Sequence, residues 1–289
     1  MKALRPVGIV GGTLVLAAGL FVASWGYILI DEWQAVSDLF RVGTVGDGWR
    51  FVLELAGLRD GPATPAFLEA GRWGDALALA YDTLVMSVLA ITIATVGMAL
   101  TAPLAVRPRG AVRPSGAGNT WRAAAAPALR WASYLVIRTI YVFARAVPEL
   151  VWALIIIFVV QPGIVAGAIA LAIHNFGIVG KLSAEVVEDL DPAPMRALAS
   201  SGAGTRQRLL YGVLPQAAPK MLTYVLYRWE VIMRTTIVVG FVAASGLGRE
   251  FRLSMSFFQF TDVALILLVY FLLVGAGDMA SAGLRRLAR

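Results

Sequence analysis

The chain contains no cysteine, so neither a disulfide nor a thiolate metal site enters its chemistry. It has a single histidine, His174, and no His/Asp/Glu cluster at ligand spacing, which speaks against a metal enzyme. No nucleophile–base constellation presents itself either, so a membrane enzyme has little to rest on. Charge is scarce as well: 15% of the 289 residues are Asp, Glu, Lys or Arg, against 59% hydrophobic. A mean hydropathy of +0.76 marks an integral membrane protein rather than a globular domain. The net charge of +7 does not call for nucleic acid, because Lys and Arg are scattered between apolar runs, where membrane topology explains positive loops.

What the sequence does have is long uncharged runs. Val7–Ile30 is long enough to span a bilayer and exceeds the apolar core of a cleaved signal peptide. Residues 31–75 carry eight acids and four arginines among Trp33, Phe40, Trp49, Phe51 and Leu53, which suits one or two interfacial helices. Thr83–Val106 is a second run of spanning length, and a Pro/Gly/Arg-rich linker follows it. Five arginines and no acid lie between Arg107 and Arg130, the signature of a cytoplasmic loop. Between Glu149 and Lys181 stand 31 residues free of Asp, Glu, Lys and Arg, interrupted by Gln161-Pro162-Gly163. Two spans need about 40 residues, so the first must begin upstream. The expected pair is Ile140–Val160 and Ile164–Ser183, with a turn at Pro-Gly. Met221–Ser245 and Val263–Ala282 complete six helices, joined by a short aromatic outer loop, Arg249–Thr261. With six spans and a cytoplasmic N-terminus, most of the 25 Lys and Arg fall on the cytoplasmic side, as does the C-terminus.

One polar island, Lys181–Lys220, separates the fourth and fifth runs and carries its own helix punctuation. Asp191-Pro192 is a start signal, with Asp as cap and Pro at the first helical position. Gly202 and Gly204 stop a first short helix near Ser201. Thr205 is placed to cap a second, and Leu214-Pro215 to halt it. Gly177–Ser183 superficially suggests a phosphate loop, but position 175 is Asn and position 182 is Leu, so ATP is not bound by that route.

The remaining charges fall inside the expected spans, where an arginine costs about 2.5–3.5 kcal/mol on insertion scales. Arg145/Glu149 and Glu230/Arg234 stand at i, i+4, so each can pair within its own helix. Arg138 and Arg228 can snorkel to the interface, and His174 can be a hydrogen-bonded packing residue. The functional reading makes Arg145, Glu149, His174, Arg228, Glu230, Arg234 and Thr235 the lining of a polar pathway suited to an anion such as phosphate or phosphonate.

Within the island, Arg196-Ala197-Leu198-x3-Gly202-x9-Gly212-x-Leu214-Pro215 resembles the "EAA" loop of bacterial ABC importer permeases. Ala197, Gly202, Leu214 and Pro215 match in identity; Arg196, Leu198 and Gly212 replace Glu, Ala and Ile. Pro148-Glu149-Leu150-Val151-Trp152, Val179-Gly180-Lys181-Leu182, Tyr211-Gly212-Val213-Leu214-Pro215-Gln216 and Tyr227-Arg228-Trp229-Glu230-x3-Arg234 resemble the phosphonate-type permeases more specifically. The similarity runs from about Asp82 to the end.

The resemblance implies an all-α integral membrane protein with about six transmembrane helices and the type I ABC importer permease fold. Residues 1–76, which the resemblance does not reach, would by their apolar run and composition form an N-terminal transmembrane helix plus a periplasmic interfacial segment. Residues 77–289 would form the permease core, with cytoplasmic coupling helices at about 185–216. It further implies a second permease subunit (identical or not), two cytoplasmic ATPase subunits that bind ATP and Mg, and a periplasmic or lipoprotein substrate-binding protein. The setting would be the bilayer of a bacterial inner membrane. This chain itself would hold no cofactor. The ATPase would grip Arg196, Ala197, Gly202, Ala203, Gly204, Thr205, Arg206, Leu214 and Pro215, and the cargo would be phosphonate, phosphite or phosphate. Another small polar solute such as an amino acid is the runner-up. A self-sufficient secondary transporter or channel is the alternative of a different class, although no internal repeat supports it.

Overall fold

The computed structural model describes residues 9–39, 42–59, 64–108, 121–243 and 245–287, and among them no strand occurs. Residues 1–8, Phe40, residues 60–63 and the linker beyond Pro108 lie outside the described residues. The chain divides into two compact units, residues 1–63 and 64–289.

The first unit holds α1 (Ile9–Asp31), α2 (Trp33–Leu39) and α3 (Val42–Leu55). The 23 residues of α1 are apolar all round, as a lipid-facing helix requires, and at 1.5 Å per residue extend about 35 Å. The segment after it forms two short helices, and α3 sets Val45, Trp49 and Val52 along one face.

The second unit opens with a 3₁₀ turn, Ala66–Leu68, tied down by Trp73 Nε1 donating to the Phe67 carbonyl at 2.9 Å. Next comes α4 (Ala70–Ala105), which starts well before Thr83 and runs through residue 76. Arg72, Asp75 and Asp82 hid that first stretch from an uncharged-run criterion, yet its alanines and leucines are strong helix formers.

The expected third span, Ile140–Val160, is not one helix. α5 (Trp121–Ala146) stops short, and α6 (Glu149–Ile157) leaves it at 92°. Pro148 is the cause: it has no N–H to continue the ladder, and it biases Val147 away from helical backbone. The turn at Pro162-Gly163 leads into α7 (Ile164–Glu188). The island forms α8 (Ala193–Ser200) and the one-turn α9 (Thr205–Gln207), then a π-helical turn, Arg208–Val213, that runs directly into α10 (Leu214–Ala243). Leu214-Pro215 therefore opens a helix rather than halting one. Pro215 cannot donate and its ring crowds the carbonyl four residues back, a conflict the wider π turn relieves. Gln216 Nε2 supplies a donor to the Gly212 carbonyl at 2.6 Å.

The expected outer loop after Ser245 is largely helical too. α11 (Gly246–Ser256) meets α10 at 57°, and Phe257–Gln259 lead into α12 (Phe260–Leu287). Gly246 turns this corner at φ +62°, with Leu247 N–H donating to Thr83 Oγ1 at 3.0 Å. Among the described residues, four helices are long and apolar enough to cross a membrane, or six if each of the two bent pairs, α5–α6 and α9-to-α10 with α11, counts as one span.

The core of this unit is α7, which packs against α4, α5, α6 and α10. Its buried face is built from small residues: Ala166, Gly167, Ala168, Ala170, Ala172, Gly177, Gly180 and Ala184. In lipid, association depends on close packing rather than on water exclusion, so small residues let backbones approach. A Cβ at Gly177 would stand 2.6 Å from the Tyr141 carbonyl oxygen and 2.8 Å from Arg145 N; one at Gly180 would meet the Tyr141 ring at 2.4 Å. Gly177→Ala should therefore force α5 off α7 and cost about 1–3 kcal/mol. Gly71→Ala, with open space around it, should be close to neutral. Thermal unfolding of the two purified variants in detergent checks the contrast; equal midpoints would refute it.

Candidate functional site

The island is a self-contained elbow. Asp191 Oδ1 accepts from Ala193 N–H at 2.9 Å, the capping expected of it. α8 closes with Ala203 N–H donating to the Leu198 carbonyl (2.9 Å) and Gly202 N–H to the Ala199 carbonyl (3.1 Å), with Gly202 at φ +83°. These paired bonds and the left-handed residue make a Schellman stop. The next helix is capped by Gly204 rather than Thr205: Gly204 N–H donates to Gln207 Oε1 at 2.8 Å, and Thr205 Oγ1 instead faces Arg208 Nη2 at 3.4 Å. Gly212 is buried, and a Cβ there would lie 3.2 Å from Leu198 and Met195 side-chain atoms. The small residue at this position is thus what lets α8 fold back on the π turn.

Much of the rest of the elbow faces outward. Arg196, Ala197, Gly202, Gly204, Thr205, Arg206, Leu214 and Pro215 are exposed, and Ala203 is half-buried. Leu209, Leu210 and Tyr211 are exposed beside them, Tyr211 at 72%. A cavity of about 350 Å³ opens among Leu198, Gly202, Gln207 and Tyr211. Arg196 projects freely, so its departure from Glu strains nothing within this chain.

The second constellation lies where α5 breaks. The break leaves the Val147 carbonyl without a helical partner, and His174 on α7 takes it, Nδ1 to O at 2.9 Å. A carbonyl can only accept, so Nδ1 carries the proton. The other ring nitrogen, Nε2, faces Glu149 Oε2 at 3.5 Å. One residue along α7, Asn175 Oδ1 accepts from Arg228 Nε (3.0 Å) and Nη2 (2.6 Å), while its Nδ2 donates to the Leu171 carbonyl (2.8 Å). Glu149, His174 and Arg228, from three helices, thus form one polar cluster with Asn175.

The i, i+4 pairings expected from sequence do not form. Pro148 turns the chain between Arg145 and Glu149; Arg145 stays exposed in the last turn of α5, where a cation complements the helix C-terminus. Among the described residues no hydrogen bond or ion pair engages its side chain. Glu230 pairs with Arg285 on α12, which also donates to Ser281 Oγ at 2.7 Å. Arg234 reaches Asp278 on α12 through Nη2 at 2.8 and 3.0 Å, and Tyr270 Oη donates to the Arg234 carbonyl at 3.0 Å. Asp278 and Arg285 lie two helical turns apart on α12, opposite the single turn between Glu230 and Arg234, so the cross-helix partners win both carboxylates and cations. Arg228 does not snorkel but is held by Asn175. Thr235 is half-buried, its hydroxyl turned back to the Ile232 carbonyl at 3.1 Å. Arg234 and Thr235 therefore lie outside the Glu149–His174–Arg228 cluster.

A broken membrane helix, a small-residue central helix and a capped polar elbow on the following span are features of one architecture, and residues 119–287 match the family described as the binding-protein-dependent transport system inner membrane component. The chain belongs to that family. Its members are transport subunits of membranes. The phosphite transport system permease protein PtxC of Stutzerimonas stutzeri is 41% identical over 142 residues, 49% of this chain and 52% of that protein. The phosphate-import permease protein PhnE of Mycolicibacterium smegmatis is 30% identical over 72% of this chain and 36% of its own length. The putative cryptic phosphonate transport system permease protein PhnE2 of Escherichia coli is 36% identical over 41% of this chain and 97% of its own. The chain spans about half the length, or less, of the first two of these relatives. Among solved structures, an inward-facing MetNI methionine ABC transporter aligns at TM-score 0.57 and 17% identity, covering 74% of this chain and 96% of that one. An amino acid ABC transporter aligns at 0.54 and 20%, covering 71% and 89%. These two likenesses establish the permease fold.

Asn175, Asp278 and Arg285 were not singled out as partners by sequence reasoning. Asn175 carried a readable signal, a lone amide in an apolar helix beside the only histidine. Asp278 and Arg285 carried none, because their partners sit on a helix more than forty residues away. Asn175→Leu removes the acceptor of both Arg228 bonds and should cost about 1.5–3 kcal/mol, whereas Asn175→Asp keeps an acceptor and should cost less. Unfolding midpoints of the purified variants check this order; a leucine variant as stable as the parent would show that Arg228 does not depend on Asn175.

Proposed function

We propose that this chain is the transmembrane permease subunit of an ATP-driven importer in a bacterial inner membrane, and that it forms part of the path for a small oxyanion: phosphonate, phosphite or phosphate. The observation that carries the reading is the elbow. Its turns are closed by its own hydrogen bonds, yet it presents Leu209, Leu210, Tyr211 and Leu214 to the outside, which is the surface of a piece built to seat in another protein. Two ATPase subunits would receive the elbows of this chain and of a second permease subunit, and ATP-driven closure would rock the two halves to alternate access. The Arg-rich segments support an orientation with the elbow and both termini on the cytoplasmic side. A substrate-binding protein would deliver cargo to the opposite face.

Charge pairing supports an anion as cargo. Glu230 and Arg234 are each neutralised by α12. That leaves Arg145 exposed and Arg228 held by a neutral amide. Arg228 spends two N–H groups on Asn175, and a guanidinium offers five in a fork that matches oxyanion geometry. The names of the phosphite and phosphate relatives point the same way.

The test is reconstitution with its ATPase and binding protein in proteoliposomes, supplying phosphite, phosphate, methylphosphonate, methionine or arginine. ATP-dependent uptake of an oxyanion is expected; uptake of an amino acid alone would overturn the cargo, and uptake without ATP would overturn the importer. In the same system Gly202→Val should lower uptake at least tenfold while the chain still inserts, because a branched residue at φ +83° distorts the elbow that docks. Unchanged uptake would remove Gly202 from the docking set.

A further inference from the structure

About two turns along α5 from the polar cluster, where α4, α5 and α7 come together next to the elbow, lies a second arginine constellation. Arg138 on α5, only 18% exposed, donates Nε to the Ala105 carbonyl at 2.9 Å and Nη2 to Glu188 Oε1 at 2.7 Å. Its Nη1 stands 3.8 Å from Glu185 Oε1, which Lys181 Nζ approaches at 3.4 Å. The Arg107 N–H donates to the same Glu188 oxygen at 2.7 Å. Ala105 is the last residue of α4 and Glu188 the last of α7. A single guanidinium thus satisfies an orphan carbonyl at the end of one helix and a carboxylate at the end of another, where two helix dipoles present their negative ends. This is far from snorkelling: the charge is turned inward and spent on two neighbouring helices. Lysine could not replace it, since the task needs donors in fixed, divergent directions.

The position of Glu188 gives this joint its meaning. Only Asp189–Pro192 separate it from α8. Leu190 in that strap is buried among Val186 and Ala217, and Pro192 is stiff at φ −75°. A displacement of α8 therefore has little slack to be lost in. From Arg138, α5 continues two turns to the Val147 break and the His174–Glu149 contact.

We propose that Arg138 is a positioning residue for energy coupling: it clasps the ends of α4 and α7 to the body of α5 at the root of the elbow, so that movement of α8 reaches the polar cluster at the α5–α6 bend. This rests on the importer reading above. Removing the clasp uncouples the two ends: ATP hydrolysis continues while the membrane helices cease to follow it.

The experiment uses the cysteine-free full chain in complex with its ATPase. Y224C and V238C, on the stripe of α10 that also carries Arg234, are each introduced alone, and the rate of modification by a water-soluble thiol reagent is measured with and without ATP. In the parent background ATP should change the two rates in opposite directions, by about fivefold or more. With Arg138→Gln, ATPase activity should stay within about twofold of the parent and the ATP-dependent change should vanish; Arg138→Lys should recover only a small part. A glutamine variant whose rates still respond to ATP like the parent's overturns the clasp and leaves the importer reading standing. A parent whose rates ignore ATP overturns that reading and the clasp with it. If the glutamine variant does not assemble, Glu188→Gln, which keeps the guanidinium and its bond to Ala105, carries the test with the same two outcomes.

Discussion

A carbonyl stripped of its helical partner inside a bilayer has to be satisfied by protein, because lipid offers no donor. At Val147 that demand falls on His174, and much of the molecule's polar interior follows from it. Pro148 breaks α5; the break frees the carbonyl; the imidazole binds it with Nδ1–H and so turns Nε2 toward Glu149. Glu149 opens α6, where a carboxylate also complements the helix N-terminus. The neighbouring Asn175 then holds Arg228 from a third helix. A backbone defect has become the nucleus of a polar cluster, and the only histidine in the chain is committed to it.

The same economy governs the other intramembrane charges. A residue pair at i, i+4 contributes only about 0.2–0.5 kcal/mol on an isolated helix, whereas a carboxylate on a packed neighbour also fastens two helices together. Glu230–Arg285 and Arg234–Asp278 both run between α10 and α12, so these charges serve as tertiary contacts. Their pairing also separates the charged residues by partner: Glu230 and Arg234 are neutralised by α12, whereas Glu149 and Arg228 face His174 and Asn175 on α7.

How much of this was legible in the sequence depended on the range of the interaction. Asp191, Gly202 and the Pro-Gly turn before α7 speak through local rules of capping and turn chemistry, and the elbow's first half and the start of α7 follow directly. Pro148 and Pro215 were visible but ambiguous, since a proline both ends a helix and opens one. Only the packing environment tells a kinked span from a straight one, and a π turn from a stop. The partners of Glu230, Arg234 and Arg138 were out of reach for a simpler reason: their positions depend on how α12 and α7 lie against α10 and α5, which no window of neighbouring residues encodes.

The π turn at Arg208–Val213 bears on how the elbow is aimed. A turn closed at i→i+5 takes up one residue more than an α turn, and one residue corresponds to about 100° of azimuth around the axis. The bearing of Leu209, Leu210 and Tyr211 relative to the faces of α10 is therefore set by a backbone phase offset rather than by which side chains occupy those positions. A replacement of Pro215 that let the turn relax to α geometry would swing the docking surface through roughly a quarter of a circle, with every residue on it unchanged.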